Sequence, residues 1–474
     1  MTSWDYLIIA AGNSYQAKSF EFQLERLKDY ILQFANKYYV QIDKYPGIGA
    51  GLATAHIISR LFEENKNEAE NLKVLLIHSG GFSKRLPHAA PFGKIFTYLP
   101  DGSCILEHKL KTYRNIPNLC GPGVFVAACD TIETLDKIEP SAFKQSFFDT
   151  MVIFGHFSSL DIATQHGVFI IDKEIDGRQT LKRVLQKPSI EEMEKNNAIW
   201  NDAMAITDSC YMFGIKVAKE FAEFCETTEK ELGSTEICCY GDFMRPLGTE
   251  ATKDYIEQAD SMILRQWRQK LFDFFNPLTG KEALIIGVES MFYHFGLPND
   301  ILDNISPNGP FYNEAFPRFV FSDICPNVTI DNSSFGEFST IKANITIPEK
   351  CLISGIEMDS DSEDIVFIPN TTVITWLQKD GKYVTLIFDN AVDIKSEGND
   401  LKWFSTPIIG KQNLFTAKLF PICDTAFESL KQTFMLIKNG KTNSECTKLS
   451  LEEAIQCADT VKMLEKRKNL IMRG

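Results

Sequence analysis

The chain is short of positive charge: 49 lysines and arginines stand against 63 acids, a net charge of −14 over 474 residues. An acidic balance of that size excludes the broad basic face that nonspecific nucleic-acid binding needs. No run of about 18 apolar residues occurs, so no membrane-spanning helix is expected. The opening residues, MTSWDYLIIAAG, carry no basic segment ahead of an apolar core and no small-residue cleavage pattern, so no secretory signal is expected. The 12 cysteines are scattered without a C-x-x-C spacing, and the adjacent Cys238 and Cys239 are poorly placed to bridge each other. A reducing, cytoplasmic setting fits that usage. The N-x-S/T triplets, such as Asn332-Ser333-Ser334, then carry no glycan meaning. Two familiar phosphate motifs are also missing: there is no G-x-x-x-x-G-K-S/T and no G-x-G-x-x-G.

What is present is ordinary globular composition, 44% hydrophobic and 24% charged, at a length that predicts two or three domains. Up to about residue 300, short apolar runs at 6–10, 73–77, 124–128, 151–154, 167–171 and 211–215 alternate with helical patterns such as 17–34 and 52–63. This alternation predicts an α/β domain over residues 1–300, built on a mostly parallel, helix-covered sheet. Ligands of such sheets bind beyond the carboxyl ends of the strands. Residues 301–474 have a different texture. Val328, Ile330, Phe335, Phe338, Ile341, Ile345, Ile347, Leu352 and Ile353 recur at short spacing between turn residues, with an imperfect hexad period. The pattern predicts short strands in coils, a β-solenoid-like, or β-helical, domain. The acidic run at 359–364 reads as a solvated loop. Ser450-Leu451-Glu452-Glu453 is a capping box, which predicts a terminal amphipathic helix running to about Ile471. Its basic end, Lys466, Arg467 and Lys468, complements the helix dipole.

The most informative stretch is IHSGGFSKRLPHAAPFGK at 77–94. A buried strand ends in Ser79, Gly80 and Gly81, followed by Lys84, Arg85 and Lys94. Glycines after a strand let backbone N–H groups approach an anion, and the cations then supply the charge that polyphosphate needs. A plain tight turn with incidental surface cations is the competing reading. Three cations within eleven residues of an otherwise acidic chain favour phosphate binding. Two further stretches are ambiguous. LIIAAGN at 7–13 has the strand-plus-AAG opening of many nucleotidyltransferases but lacks the Gly and Arg that follow, so it reads as a neighbouring sheet strand. PGIGAGLATA at 46–55 is similar to the glycine-rich ATP loop of GHMP small-molecule kinases, without the usual Ser-Ser. It reads alternatively as a second glycine turn, through Gly47 and Gly49, at a helix N-terminus serving the same nucleotide, or as a plain helix start.

The stretch 77–100, IHSGGFSKRLPHAAPFGKIFTYLP, closely resembles the fucose-1-phosphate guanylyltransferase (GDP-L-fucose pyrophosphorylase) family. QHGVFIID at 165–172, QKPSIEEM at 186–193, TDS at 207–209, YGDF at 240–243, FYHFG at 292–296 and LSLEEA at 449–454 follow in family order and extend the resemblance over most of the chain. It implies GMP transfer from GTP to L-fucose 1-phosphate with Mg²⁺ and release of pyrophosphate. It also implies a Rossmann-like nucleotidyltransferase mixed sheet followed by a β-helical domain. GTP and L-fucose 1-phosphate are then the expected partners, with no nucleic acid and no membrane. The resemblance leaves open a homo-oligomer formed through the C-terminal domain.

Carried over by position, the wider nucleotidyltransferase loop falls on Gly80, Gly81, Arg85 and Lys94, with Gly93 where that pattern has proline. Arg85 and Lys94 are the implied catalytic cations, acting on the β- and γ-phosphates. The metal aspartate is implied at Asp130, after the strand at 124–128. Lys187 of Gln186-Lys187-Pro188 is implied to meet the sugar phosphate, with glutamine replacing the usual glutamate. Asp208 of Thr207-Asp208-Ser209 is assigned to the same subsite. The second metal position falls on His294, and oxygen ligands suit Mg²⁺ where imidazole does not, so either the second metal ligand is lost or Asp242 replaces it. His166 reads as a packing residue. In-line attack by an anionic sugar phosphate needs no strong base. It needs two polyanions held together and the growing charge neutralised. A GHMP-type kinase, or a catalytically silent binding subunit on the same fold, are the competing readings. The first should show a second glycine-rich motif, and the second should have lost Arg85, Lys94 or Asp130.

Overall fold

The computed structural model describes the chain apart from residues 1–3, 67, 82, 136–146, 176–177, 233–234, 276–281, 399, 410–411, 441–446 and 474. It divides into two compact units. The first comprises Met1–Ala17, Leu24–Gly81 and Glu107–Tyr293, and the second Lys18–Gln23, Phe82–Leu106 and His294–Gly474. The chain passes from one unit to the other between Gly81 and Phe82, inside the cation-rich loop.

The first unit is mixed α/β. Its strands are β1 (Trp4–Ala11), β2 (Ala35–Ile42), β3 (Lys73–His78), β4 (Gly123–Ala128), β5 (Thr131–Thr134), β6 (Thr150–Ser159), β7 (Gly167–Ile175), β8 (Arg178–Gln186), β9 (Met204–Gly214) and β10 (Glu282–His294). They form one sheet in the order β2-β1-β3-β4-β9-β6-β10-β8-β7, with β5 paired to β10. The strands β2, β1, β3 and β4 run parallel. Beyond them the expectation of a mostly parallel sheet gives way to a mixed one: β6 and β10 pair parallel, but β9 is antiparallel to β4 and β6, and β8 is antiparallel to β7 and β10. The apolar strands β1, β3 and β4 are buried along nearly their whole length, as strands covered on both faces must be. Strands β2 (ANKYYVQI) and β8 (RQTLKRVLQ) were hidden because polar residues interrupt them. The helical pattern at 17–34 divides at Leu27 into Ser14–Arg26 and Lys28–Ile31. The helix Gly49–Glu64 buries Leu52, Ala55, Ile58 and neighbours at helical spacing and packs against Ile215–Thr228.

Register brings the parallel strands to one edge. Ala11 pairs with Ile42, Ala10 with His78, and His78 with Ala128. Gly12, Asp43, Ser79 and Cys129 therefore leave the sheet at the same carboxyl edge, where ligands of such sheets bind.

In the second unit the short strands stack parallel at a spacing of 17 residues: Asp323 pairs with Thr340 and Thr340 with Glu357, Thr329 with Thr346, and Gly336 with Ile353. Each 17-residue turn carries three strands, which is why a strict hexad fit was imperfect. The next pairing, Ile353 with Val373, spans 20 residues; the added length includes the acidic run at 359–364. Ile341, Ile347, Ile353 and Ile356 form the buried ladder of the stack. The capping box at Ser450 and Glu453 is present, but the terminal segment is two helices, Leu451–Cys457 and Thr460–Ile471, because Asp459 caps a second start. Arg467 does more than complement a dipole. Its guanidinium is 3.2 Å from Glu337 and lies over the rings of Phe92, at 3.6 Å, and Phe338, at 4.3 Å.

Every described cysteine is a free thiol. Among the described residues no helix is long and apolar enough to cross a membrane.

Candidate active site

At the carboxyl edge of the first unit's parallel strands, the β1 and β3 turns touch. A Cβ on Gly80 would lie 2.9 Å from the Gly12 nitrogen, so only glycine fits there. Gly81 takes a φ of +96 and faces open space. Gln16 ties the two turns together: its Oε1 accepts from the Gly12 N–H at 2.9 Å, and its amide donates to the Gly81 carbonyl at 2.5 Å. Ser79 is held by its N–H to Ala10, at 3.1 Å. Its hydroxyl is buried without a hydrogen-bond partner, a group that a ligand oxygen would satisfy. Asp43, which sequence reasoning missed, joins this edge. Its carboxylate approaches Gly12, and burial raises its pKa to about 6. Nothing in the polar run Gln41-Ile42-Asp43-Lys44 marks it; only the pairing of β2 with β1 places it.

Asp130 follows β4 and is half-buried, in the turn that opens β5. Behind it lies a buried ion pair that the sequence did not announce. Lys109 Nζ lies 3.0 Å from Glu133 Oε2 and donates to Thr131 and Tyr113, each at 3.0 Å. The pair fixes β5 directly after Asp130. Lys187 is exposed at the end of β8, with its N–H donated to the His166 carbonyl at 3.0 Å. Its φ of +47 is unusual for a side-chain-bearing residue and is the kind of local strain that functional sites keep. Asp208 is buried in β9 beside Tyr240. Burial pushes its pKa well above the carboxylate range, while Tyr240 opposes the shift.

The second unit holds the cations. Lys84 lies 4.2 Å from the ring centre of Phe415, Arg85 is exposed, and Lys94 is half-buried at the start of a short 3₁₀ turn. Gly93 explains its departure from the proline of the wider pattern. Its φ is +88, and a Cβ there would lie 2.4 Å from the Phe20 ring. Proline, fixed near −65°, cannot adopt that backbone.

Other expected positions have structural partners of their own. Asp242 is buried in the π-helical segment Cys239–Met244. Its Oδ1 accepts from Arg268 at 2.7 Å and its Oδ2 from the Cys238 N–H at 2.6 Å, so both oxygens are committed and the metal assignment there is corrected. Gly49 serves packing rather than phosphate: a Cβ would lie 2.3 Å from the Ile237 carbonyl. Gly47 has a φ of +75 and open space around it; it belongs to the turn before that helix. His294 pairs with Asp300 at 2.7 Å. His166 meets the Phe292 ring edge-on and His156 stacks on it at 4.3 Å.

Comparison with known proteins adds the following. The fucose pyrophosphorylase domain model matches residues 66–425. The chain is 27% identical to the fucose-1-phosphate guanylyltransferase of Homo sapiens, over 99% of this chain and 90% of the human protein. It is equally similar, at 27%, to that of Mus musculus, over 99% of this chain and 93% of the mouse protein. A bifunctional fucokinase/GDP-fucose pyrophosphorylase of Arabidopsis thaliana is 25% identical over 64% of this chain and 32% of its own length.

Proposed function

The chain belongs to the fucose pyrophosphorylase family, and from that membership we propose that it makes GDP-L-fucose and pyrophosphate from GTP and L-fucose 1-phosphate. The observation that carries the reading is the end-to-end similarity to two fucose-1-phosphate guanylyltransferases. The glycine turn at the shared carboxyl edge of four parallel strands supports it. In this reading the mixed sheet is a Rossmann-like nucleotidyltransferase sheet, and the 17-residue coils form a short β-helix.

A sugar phosphate oxygen attacks the α-phosphorus in line, the bond to the β-phosphate oxygen breaks, and pyrophosphate leaves. The nucleophile arrives as an anion, so the chain supplies position and charge. The Ser79–Gly81 backbone and the Ser79 hydroxyl take nucleotide oxygens, with Lys84 adding charge. Arg85 and Lys94 neutralise the departing phosphates. Lys187 orients fucose 1-phosphate, with Asp208 assigned to the same subsite. Mg²⁺ fits Asp130. Among the described residues no group of three or more His, Cys, Asp or Glu side chains is placed for a metal, and Mg²⁺ characteristically takes one or two carboxylates plus substrate phosphates. When bound it would supply Lewis-acid charge to the phosphate oxygens. The kinase alternative lacks the second glycine-rich motif and the Ser-Ser loop it should show.

The test is a matrix of kcat/KM values over GTP, ATP and UTP crossed with fucose, mannose and glucose 1-phosphates. The maximum is expected at GTP with fucose 1-phosphate. Mannose 1-phosphate should be poorer by about 10², the discrimination available to an apolar pocket facing an extra hydroxyl. A maximum at mannose 1-phosphate or ATP would leave the superfamily standing and remove the substrate assignment.

A further inference from the structure

The second unit brings four cations to one patch, and only three of them belong to the glycine-and-cation loop. Lys84, Arg85 and Lys94 lie in the segment Phe82–Leu106. The fourth, Lys395, lies about 300 residues later, in the loop after the strand Tyr383–Asp389. Packing holds the two segments together. Ile394 is buried in the same apolar cluster as Ala90 and Phe92. Arg85 shares the wall of a cavity of about 170 Å³ with Val392, Asp393 and Ile394. The loop carrying Lys395 is braced. Asp393 Oδ1 accepts the Lys395 N–H at 2.9 Å, and the Asp393 carbonyl accepts the Ser396 N–H at 2.9 Å.

The charges sense one another. Partial burial, then the positive charges of Arg85, Lys84 and Lys94, lower the pKa of Lys395, while Asp393 opposes the shift. Bringing like charges together disfavours folding. Two segments about 300 residues apart nonetheless bring four cations together, with Asp389 and Asp393 on the wall of the Arg85 cavity. A polyanion with three or four charges in a small volume accounts for that convergence.

We propose that Lys395 binds the pyrophosphoryl group, as the β,γ-phosphates of the nucleotide and as free pyrophosphate, together with Lys84, Arg85 and Lys94. This rests on the guanylyltransferase reading and deepens it. The contribution of Lys395 is specific to the leaving group. Fucose 1-phosphate lacks a pyrophosphoryl group, and in GDP-fucose the corresponding subsite is vacated.

Lys395→Gln and Lys395→Arg test the idea in the reverse direction, with GDP-fucose and pyrophosphate as substrates. The glutamine variant should raise the KM for pyrophosphate about tenfold, the scale of one charge-assisted hydrogen bond. The KM for GDP-fucose should stay within about twofold, and arginine should recover most of the loss. An unchanged KM for pyrophosphate overturns the proposal. So does a joint rise in both KM values with a lowered Tm and no rescue by arginine, because that marks a bracing role. Titration of inorganic pyrophosphate into wild type and Lys395→Gln by calorimetry separates this inference from the one beneath it. Weaker binding to the variant upholds the Lys395 site even when GDP-fucose is not the product. Equal affinities, or no binding to wild type, reject it.

Discussion

Replacing Gly93 with proline, the residue the wider nucleotidyltransferase pattern carries before its lysine, should damage this protein rather than repair it. Three costs follow from the local structure. The observed φ of +88 is roughly 150° from the value proline enforces, and forcing such a backbone costs about 1–3 kcal/mol. The Gly93 N–H donates to the Ala89 carbonyl at 2.8 Å; proline removes that donor, and because the carbonyl keeps the Phe92 N–H at 3.1 Å the loss is about 0.5–1.5 kcal/mol. Any Cβ meets the fully buried ring of Phe20, with Cε1 at 2.4 Å and Cζ at 2.8 Å, and overpacking costs about 1–3 kcal/mol. The three overlap, so a total of about 3–6 kcal/mol is expected for Gly93→Pro, against a typical domain stability of about 5–15 kcal/mol. Gly93→Ala keeps the N–H and should cost about 2–5 kcal/mol. Adding Phe20→Leu to the alanine variant should cost less than the two single changes combined, because the shorter side chain relieves the clash. Urea unfolding at constant m gives the stabilities, and initial rates report displacement of the neighbouring Lys94. A proline variant within about 0.5 kcal/mol of wild type, the range of neutral surface changes, with undiminished turnover, would refute the local geometry and with it the account of why glycine stands there.

Arg85→Ala or Lys94→Ala should lower turnover by about 10²–10³, the usual effect of removing one preorganised charge contact, with unfolding midpoints retained; turnover within a few-fold of wild type counts against the assignment. Asp130→Asn keeps the shape and removes the charge, so activity should collapse and the Mg²⁺ titration should shift to higher concentration; superimposable titration curves would move the ligand elsewhere. Asp43 has a folded-state pKa raised to about 6 by burial, above the unfolded value of about 3.9. Its contribution to stability is thus fully present below pH ~4 and is lost as pH rises through 6. Asp43→Asn should therefore match wild type near pH 4 and exceed it at pH 8 by about 1–2 kcal/mol after discounting for partial exposure; a stability difference that does not vary with pH contradicts this. Glu133→Gln strands the charge of Lys109 in the core and should cost about 3–5 kcal/mol, whereas Lys109→Met with Glu133→Leu should be close to neutral; chemical denaturation of both variants decides it.

The sequence by itself determined the features that depend on local pattern. Continuous apolar runs mark β1, β3 and β4 because strands covered on both faces need no polar side. The Ser450 capping box reads directly, because its partners are three residues apart. The order of short motifs identified the family. Tertiary structure decided whatever depends on partners distant in the chain. Nothing local distinguishes an aspartate free to bind metal from Asp242, whose oxygens are taken by Arg268 and a backbone N–H. Gly49 looked like a phosphate loop until Ile237 was seen against it. Strand β2 is too polar to stand out, so Asp43 reached the glycine edge only through the register of β2 with β1. Lys395 is one lysine among many until Ile394 packs with Phe92 and brings its charge to the other three. A carboxylate or an ammonium takes its role from its neighbours, and those neighbours are set by pairing and packing across tens to hundreds of residues.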